Sequence, residues 1–258
     1  MSRISKAFMN KKAFIAFLTA GDPDYETSLE NFKAVIEAGA DIIEMGIPFS
    51  DPIAEGPVIQ EADIRALNSG MTTDKVFKMA KELRSCYDIP IVFMTYANPV
   101  YHIGAEKFFE NAAKAGVDGI IIPDCPYEER SEFEETASKY GIDLISMIAP
   151  TSEDRIKTIA SCAKGFIYVV SSLGVTGVRN EIKTDLDSMI KMIKEVTDVP
   201  AAIGFGISTP EQASVISKKA DGVIVGSAMV KQVAQCGKNA SGMLSEYVRS
   251  MKEAMIKH

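Results

Sequence analysis

The sequence predicts an α/β fold: a single closed (β/α)8 TIM barrel over residues 1–258, with an extra helix at the N-terminus. Two observations point there. Eight short apolar segments alternate with segments of helical spacing, the pattern of a parallel sheet buried on both faces. A weak repeat keeps the same phase. Gly39-Ala40-Asp41, Gly116-Val117-Asp118 and Gly141-Ile142-Asp143 each precede an apolar strand, and Ala220-Asp221 echoes them. Glycine there suits the left-handed turn that ends a helix. Eight strand–helix units are the number that closes a barrel. The rival, an open doubly wound sheet, normally carries Gly-x-Gly-x-x-Gly after its first strand, where this chain has Gly21-Asp22-Pro23. No linker, charge block or low-complexity stretch divides the chain.

Residues 2–12 read as a short amphipathic helix with Ile4, Phe8 and Met9 on one side. Ala13–Thr19 is the first strand, stopped by Gly21-Asp22-Pro23. Tyr25–Glu37 has helical spacing at Leu29, Phe32, Val35 and Ile36. A second strand follows Asp41, then helices over 59–68 and 74–86, broken at Gly70. Strand three covers 91–96 and is closed by Asn98-Pro99. A helix over 105–115 leads to strand four, 119–122, closed by Pro123 and Pro126. A helix over 128–140 leads to strand five, 144–148, and Ser152 caps a helix reaching 163. Strand six is 166–170, followed by a helix over 185–196. Strand seven is 201–203, then a helix over 209–217, strand eight at 223–225 and a helical tail.

Composition narrows the function. The net charge of -7 argues against nucleic acid and anionic membrane as partners. The longest apolar run is far short of a membrane span, and the first residues lack an apolar core with a cleavage site. Cys86, Cys125, Cys162 and Cys236 are scattered, with no Cys-x-x-Cys, which fits free thiols in a reducing cytoplasm. Only His102 and His258 are present, so a histidine triad or a multi-histidine metal site is poorly supported. Acid–base work falls to carboxylates.

The second strand, Ile42-Ile43-Glu44-Met45-Gly46-Ile47, holds one polar side chain, Glu44. Alternation puts it on the same face as Ile42 and Gly46. A carboxylate inside an apolar strand must be paired or able to take up a proton. A buried salt bridge and an acid–base role are equally open from this position alone. Pro48 and Pro52 stiffen the exit, and Asp51, Glu55 and Glu61 follow. In a barrel the strand C-termini form the active face. These ends offer Phe17 and Thr19, then Glu44, Tyr96 and Asn98, Asp124, and Tyr168. Tyr96 is balanced between core aromatic and pocket lining, and Asp124 reads as a brace for its loop. Cys125 reads as an incidental thiol and His102 as a surface residue. The late loops change character: Gly174-Val175-Thr176-Gly177, Gly204-Phe205-Gly206-Ile207-Ser208 and Gly226-Ser227-Ala228. Glycines admit backbone N–H groups close to an anion, and a helix N-terminus at Ser227 adds its positive end. Any one loop is more simply a turn; three together favour a phosphorylated small substrate.

These segments resemble a family. Phe17-Leu-Thr-Ala-Gly-Asp-Pro, Glu44-Met-Gly-Ile-Pro-Phe-Ser-Asp-Pro, Tyr96-Ala-Asn-Pro, Gly174-Val-Thr-Gly, Gly204-Phe-Gly-Ile-Ser and Val225-Gly-Ser-Ala are similar to those of tryptophan synthase α subunits, across nearly the whole chain. The resemblance implies a barrel that cleaves indole-3-glycerol phosphate to indole and glyceraldehyde 3-phosphate, without metal or cofactor. It implies a β subunit as partner in an α2β2 heterotetramer. It implies that Glu44 is the acid–base catalyst and that Glu55 is the second catalytic carboxylate. Tyr168 then lines the indole pocket, Phe17 and Tyr96 join it as substrate-binding residues, and Thr176, Gly177, Phe205, Gly206, Gly226 and Ser227 serve the phosphate end or its lid. This chain has Ala54-Glu55-Gly56-Pro57 where the family usually has Ala-Asp-Gly-Pro, so that carboxylate is one methylene longer. Another phosphate-binding barrel isomerase, a stand-alone lyase and a weakly catalytic activating subunit are the rival readings. The segment from Glu44 to Pro52 speaks against the first.

Overall fold

The computed structural model describes residues 1–171, 185–204 and 206–256. Nine strands lie within them: β1 (Ala13–Thr19), β2 (Ile42–Gly46), β3 (Ile91–Met94), β4 (Gly119–Ile121), β5 (Asp143–Leu144), β6 (Ser146–Ile148), β7 (Ile167–Val170), β8 (Ala201–Gly204) and β9 (Gly222–Val225). All pair in parallel, in the order β5-β4-β3-β2-β1-β9-β8-β7-β6. The two ends of that order, β5 and β6, are one extended stretch interrupted at Ile145. Its first half pairs with β4 and its second with β7. This stretch is the predicted fifth strand, and through it the sheet returns on itself as a barrel of eight staves. The α/β barrel is therefore the observed fold.

Alternation sorts the side chains. Phe14, Ala16 and Leu18 of β1 point outward, into a large core shared with helix residues such as Phe32, Val35 and Phe108. Ile15 and Phe17 point inward with Ile42, Val92, Ile121 and Ile224. Glu44 shares the inward parity of Ile42 and lies in register with Phe17 on one side and Val92 on the other. The N-terminal helix closes one end. It is Arg3–Ala7, shorter than the predicted 2–12, because Phe8 caps it and Asn10 turns the chain at φ 56°. Ile4 and Ala7 join the interior cluster, and the Phe8 ring lies 5.9 Å from Phe166. Ligand access is left to the opposite, C-terminal end.

The repeated Gly-x-Asp has a structural job. Gly39, Gly116 and Gly141 are left-handed, at φ 108°, 80° and 71°. At Asp41, Asp118 and the echoing Asp221 the carboxylate accepts an N–H from the start of the strand before. Phe14 donates to Asp41 (2.7 Å), Ile91 to Asp118 (2.9 Å) and Ala201 to Asp221 (2.9 Å). These bonds satisfy N–H groups that the ladder leaves over at the barrel floor. Asp41 also pairs with Lys11 at 2.5 Å and with Lys252.

Other boundaries moved for local reasons. Strand three ends at Met94, and Asn98-Pro99 lies inside a helix, Ala97–Ile103. Proline is tolerated in a first turn, whose N–H groups have no intrahelical partner. The Ala97 N–H instead donates to Asp124 at 2.9 Å, so Asp124 braces its neighbour's loop. The helix over 59–68 begins earlier, at Pro57, and Ser152 stands at an N-cap without a side-chain cap bond. His102 is exposed, and the four cysteines are free thiols. Among the described residues no helix is long and apolar enough to cross a membrane, and no group of three metal-ligating side chains comes together.

Candidate active site

A cavity, partly open to solvent, lies at the C-terminal end of the barrel. Its wall is mainly apolar: Phe17, Ile59, Met94, Met147, Tyr168 and Ile224. Two carboxyl groups enter it, Glu44 from β2 and Glu55 from the loop beyond. At one side it meets Gly206, Gly226, Ser227 and Ala228.

Glu44 is 1% exposed, and its Oε2 has no hydrogen-bond partner among the described residues. The salt bridge left open by the sequence does not form among them. Burial, and then the charge of Glu55, push its pKa from an ordinary 4.5 up to about 8. A neutral glutamic acid at pH 7 can donate a proton and later take it back. Tyr168, in the wall nearby, is itself pushed well above the ordinary tyrosine range by burial and by Glu44.

Two bonds fix the backbone around Glu55. Its carbonyl accepts from Gln60 at 2.8 Å, and the preceding Ala54 N–H donates to the Tyr96 hydroxyl at 3.1 Å. Burial raises its pKa to about 7, and the neighbouring Asp63 and Tyr96 hold it lower than burial alone would. Tyr96 is buried, stacks 5.4 Å from Phe49 and stands behind Ala54 and Glu55 rather than in the cavity lining. Asp51 and Glu61, the neighbouring acids, are exposed.

The glycines have two explanations. A Cβ on Gly204 would sit 2.5 Å from the Tyr168 hydroxyl, and one on Gly226 would sit 3.1 Å from the Phe17 ring. These two glycines make room for aromatic walls, a reason the sequence reading did not contain. Gly206 is left-handed at φ 77°. The helix Ser227–Cys236 begins at Gly226 with no side chain capping it among the described residues. Its first turn therefore presents backbone N–H groups and positive dipole to the cavity, an arrangement that suits an anion.

A family model described as tryptophan synthase alpha chain matches residues 4–256. The chain belongs to this family. A tryptophan synthase alpha chain from Thermoanaerobacter sp. (strain X514) is 48% identical over 263 residues, covering 99% of this chain and 100% of the relative. One from Lactiplantibacillus plantarum is 49% identical over 256 residues, covering 99% and 97%. Among solved structures, the Mycobacterium tuberculosis tryptophan synthase gives a TM-score of 0.89 at 31% identity, covering 98% of both chains. The tryptophan synthase α2β2 complex of Pyrococcus furiosus gives 0.86 at 40% identity, covering 94% of this chain and 99% of that one.

Of the residues that the family's motifs mark in this chain, Phe17, Glu44, Glu55, Tyr168, Gly206, Gly226 and Ser227 meet at one cavity. Thr176, Gly177 and Phe205 lie outside the described residues. Sequence reasoning missed Asp63, which is 4% exposed beside Glu55. A signal was present. Ile59, Ala62 and Ala66 define the buried face of the helix Pro57–Asn68, and Asp63 falls on that face by the same 3–4 spacing.

Proposed function

We propose that this chain cleaves indole-3-glycerol phosphate to indole and glyceraldehyde 3-phosphate, as the α subunit of a tryptophan synthase in L-tryptophan biosynthesis. Glu44 carries the reading: a buried carboxyl group, without an ion pair among the described residues, in the wall of an apolar cavity. The substrate's indole lies against Phe17 and Tyr168, and its phosphate lies at Gly206, Gly226 and Ser227. Thr176, Gly177 and Phe205 belong to that phosphate end or the lid over it.

The carbon–carbon bond breaks by a retro-aldol step. Indole leaves poorly until its C3 is protonated, and neutral Glu44 supplies that proton. Positive charge then develops at the ring nitrogen, where the Glu55 carboxylate stabilises it and accepts the N–H. Glu44, now a carboxylate, takes the proton of the hydroxyl on the carbon attached to the ring. That carbon becomes the aldehyde, the bond to C3 breaks, and its electron pair neutralises the ring. Glu44 ends as it began. A carboxyl group poised near neutrality serves both directions. Phosphate binding at the far end fixes the reacting carbon over Glu44.

The chain acts as one domain, in the cytoplasm, joined to a β subunit that consumes indole. Four free thiols suit that compartment. The test is indole release by the purified chain. Wild type is expected to release indole, and Glu44→Gln to lose ~10²–10⁴ in rate with substrate affinity largely kept. Near-normal turnover in Glu44→Gln removes Glu44 from the chemistry.

A further inference from the structure

The loop that follows β8 reaches the cavity with Gly206 and Ile207. Gly206 is left-handed at φ 77°, and glycine loses more freedom than any other residue when its backbone is fixed. Two residues on, Ser208 is tied at both of its backbone groups. Its N–H donates to Gln212 Oε1 at 2.8 Å, and the Thr209 N–H donates to the same oxygen at 3.2 Å. This tie belongs to the capping box that opens the helix Pro210–Ser217. The Ser208 carbonyl accepts the hydroxyl of Tyr247 at 2.9 Å. Tyr247 comes from far along the chain, in the C-terminal helix Ala240–Ile256. That helix is itself held on both sides of Tyr247. Leu244, Val248 and Met251 are buried, Ser245 Oγ donates to the Ala34 carbonyl at 3.2 Å, and Lys252 pairs with Asp41. Burial pushes the Tyr247 hydroxyl above the ordinary tyrosine range, so it stays a neutral donor.

We propose that Tyr247 is a positioning residue for the phosphate end: its hydroxyl, anchored on the C-terminal helix, fixes the backbone of residues 206–208 in place before the anion arrives. This rests on the reading that puts the substrate phosphate at Gly206, Gly226 and Ser227. Among the described residues no lysine or arginine lines the cavity, so the anion depends on where backbone N–H groups stand. On one side they belong to the first turn of the helix Ser227–Cys236, which its own hydrogen bonds keep in shape. On the other side they belong to a glycine loop, which has no such ladder. Ordering a loop on binding costs affinity, and a loop ordered beforehand avoids that cost. The Gln212 tie fixes Ser208 to the helix it precedes, and the Tyr247 bond fixes it to a second helix packed against the first.

Tyr247→Phe keeps the ring and removes only the donor. Calorimetry with glycerol phosphate should show a Kd raised by roughly three- to tenfold, the worth of one hydrogen bond. KM for indole-3-glycerol phosphate should rise by the same factor while kcat changes far less, because Glu44 and Glu55 are untouched. Ser245→Ala is the control for a merely structural role. It removes a hydroxyl bond from the same helix, but one that runs to Ala34 and not to the loop. It should lower the unfolding midpoint in urea without moving Kd. Hydrogen exchange at residues 206–209 should be faster in Tyr247→Phe than in wild type or Ser245→Ala, and saturating glycerol phosphate should narrow that difference. The same Kd in Tyr247→Phe and wild type, or an equal rise in Ser245→Ala, overturns the proposal. If wild type binds no glycerol phosphate at all, the phosphate reading itself fails and takes this role with it.

Discussion

At the residue scale, one methylene and one proton matter most. The folded-state pKa of Glu44 lies above its ordinary 4.5, at about 8. Between those values the folded chain holds a proton that the unfolded chain has released. Stability contributed at this site therefore falls as pH rises through that window. Glu44→Gln removes the titration. Its unfolding free energy should exceed that of wild type at pH 8 by an amount on the order of a few kcal/mol, and the gap should shrink toward pH 5. A gap that is constant with pH contradicts a buried, proton-binding Glu44. For Glu55, reach and charge separate by substitution. Glu55→Asp should keep much of the activity, because a loop adjusts by about an ångström more easily than a strand does. Glu55→Gln should fall lower and Glu55→Ala lowest, since glutamine accepts the N–H without matching the charge. Asp51→Ala and Glu61→Ala are the controls, and full activity in Glu55→Ala with loss in either control would transfer the role.

At the element scale, each strand end contributes a different kind of group. β2 supplies Glu44, β1 and β7 supply the aromatic walls Phe17 and Tyr168, and Gly204 at the end of β8 and Gly226 just after β9 let those rings pack. The helix Ser227–Cys236 brings backbone N–H groups instead of a cationic side chain. An anion held by backbone is sensitive to any negative side chain placed beside it. Ser227→Asp should therefore raise KM for indole-3-glycerol phosphate steeply while leaving the fold intact, as judged by circular dichroism. Calorimetry with glycerol phosphate should show the same loss. Unchanged binding in this variant would move the phosphate away from this helix.

At the scale of the whole molecule, the closed end and the open end divide the work. The N-terminal helix and the repeated aspartates secure the floor, and the chemistry is gathered at the other end. The loop that carries Glu55 also carries Ile53, which is 74% exposed. A subunit that covers such a loop can change how firmly Glu55 is held, so contact and activity become coupled. Mixed with its cognate β subunit at micromolar concentrations, the chain should sediment as an α–β complex and release indole faster than alone. Absence of a complex would favour a stand-alone lyase.

The order of strands and helices, the face that Glu44 shares with Ile42 and the family membership were all determined by local pattern and motif. Those features depend on periodicity and short segments, which a single sequence displays directly. The helix at Ala97–Ile103, the interruption at Ile145 and the true reason for Gly204 and Gly226 depended on neighbours distant in the chain. So did the burial of Asp63 beside Glu55. Asp63 reads as an ordinary polar helix residue until the loop after β2 folds over it. Burial brings two acids together away from cations, and whether a carboxyl group keeps its proton is set by that company, which only the tertiary structure assembles.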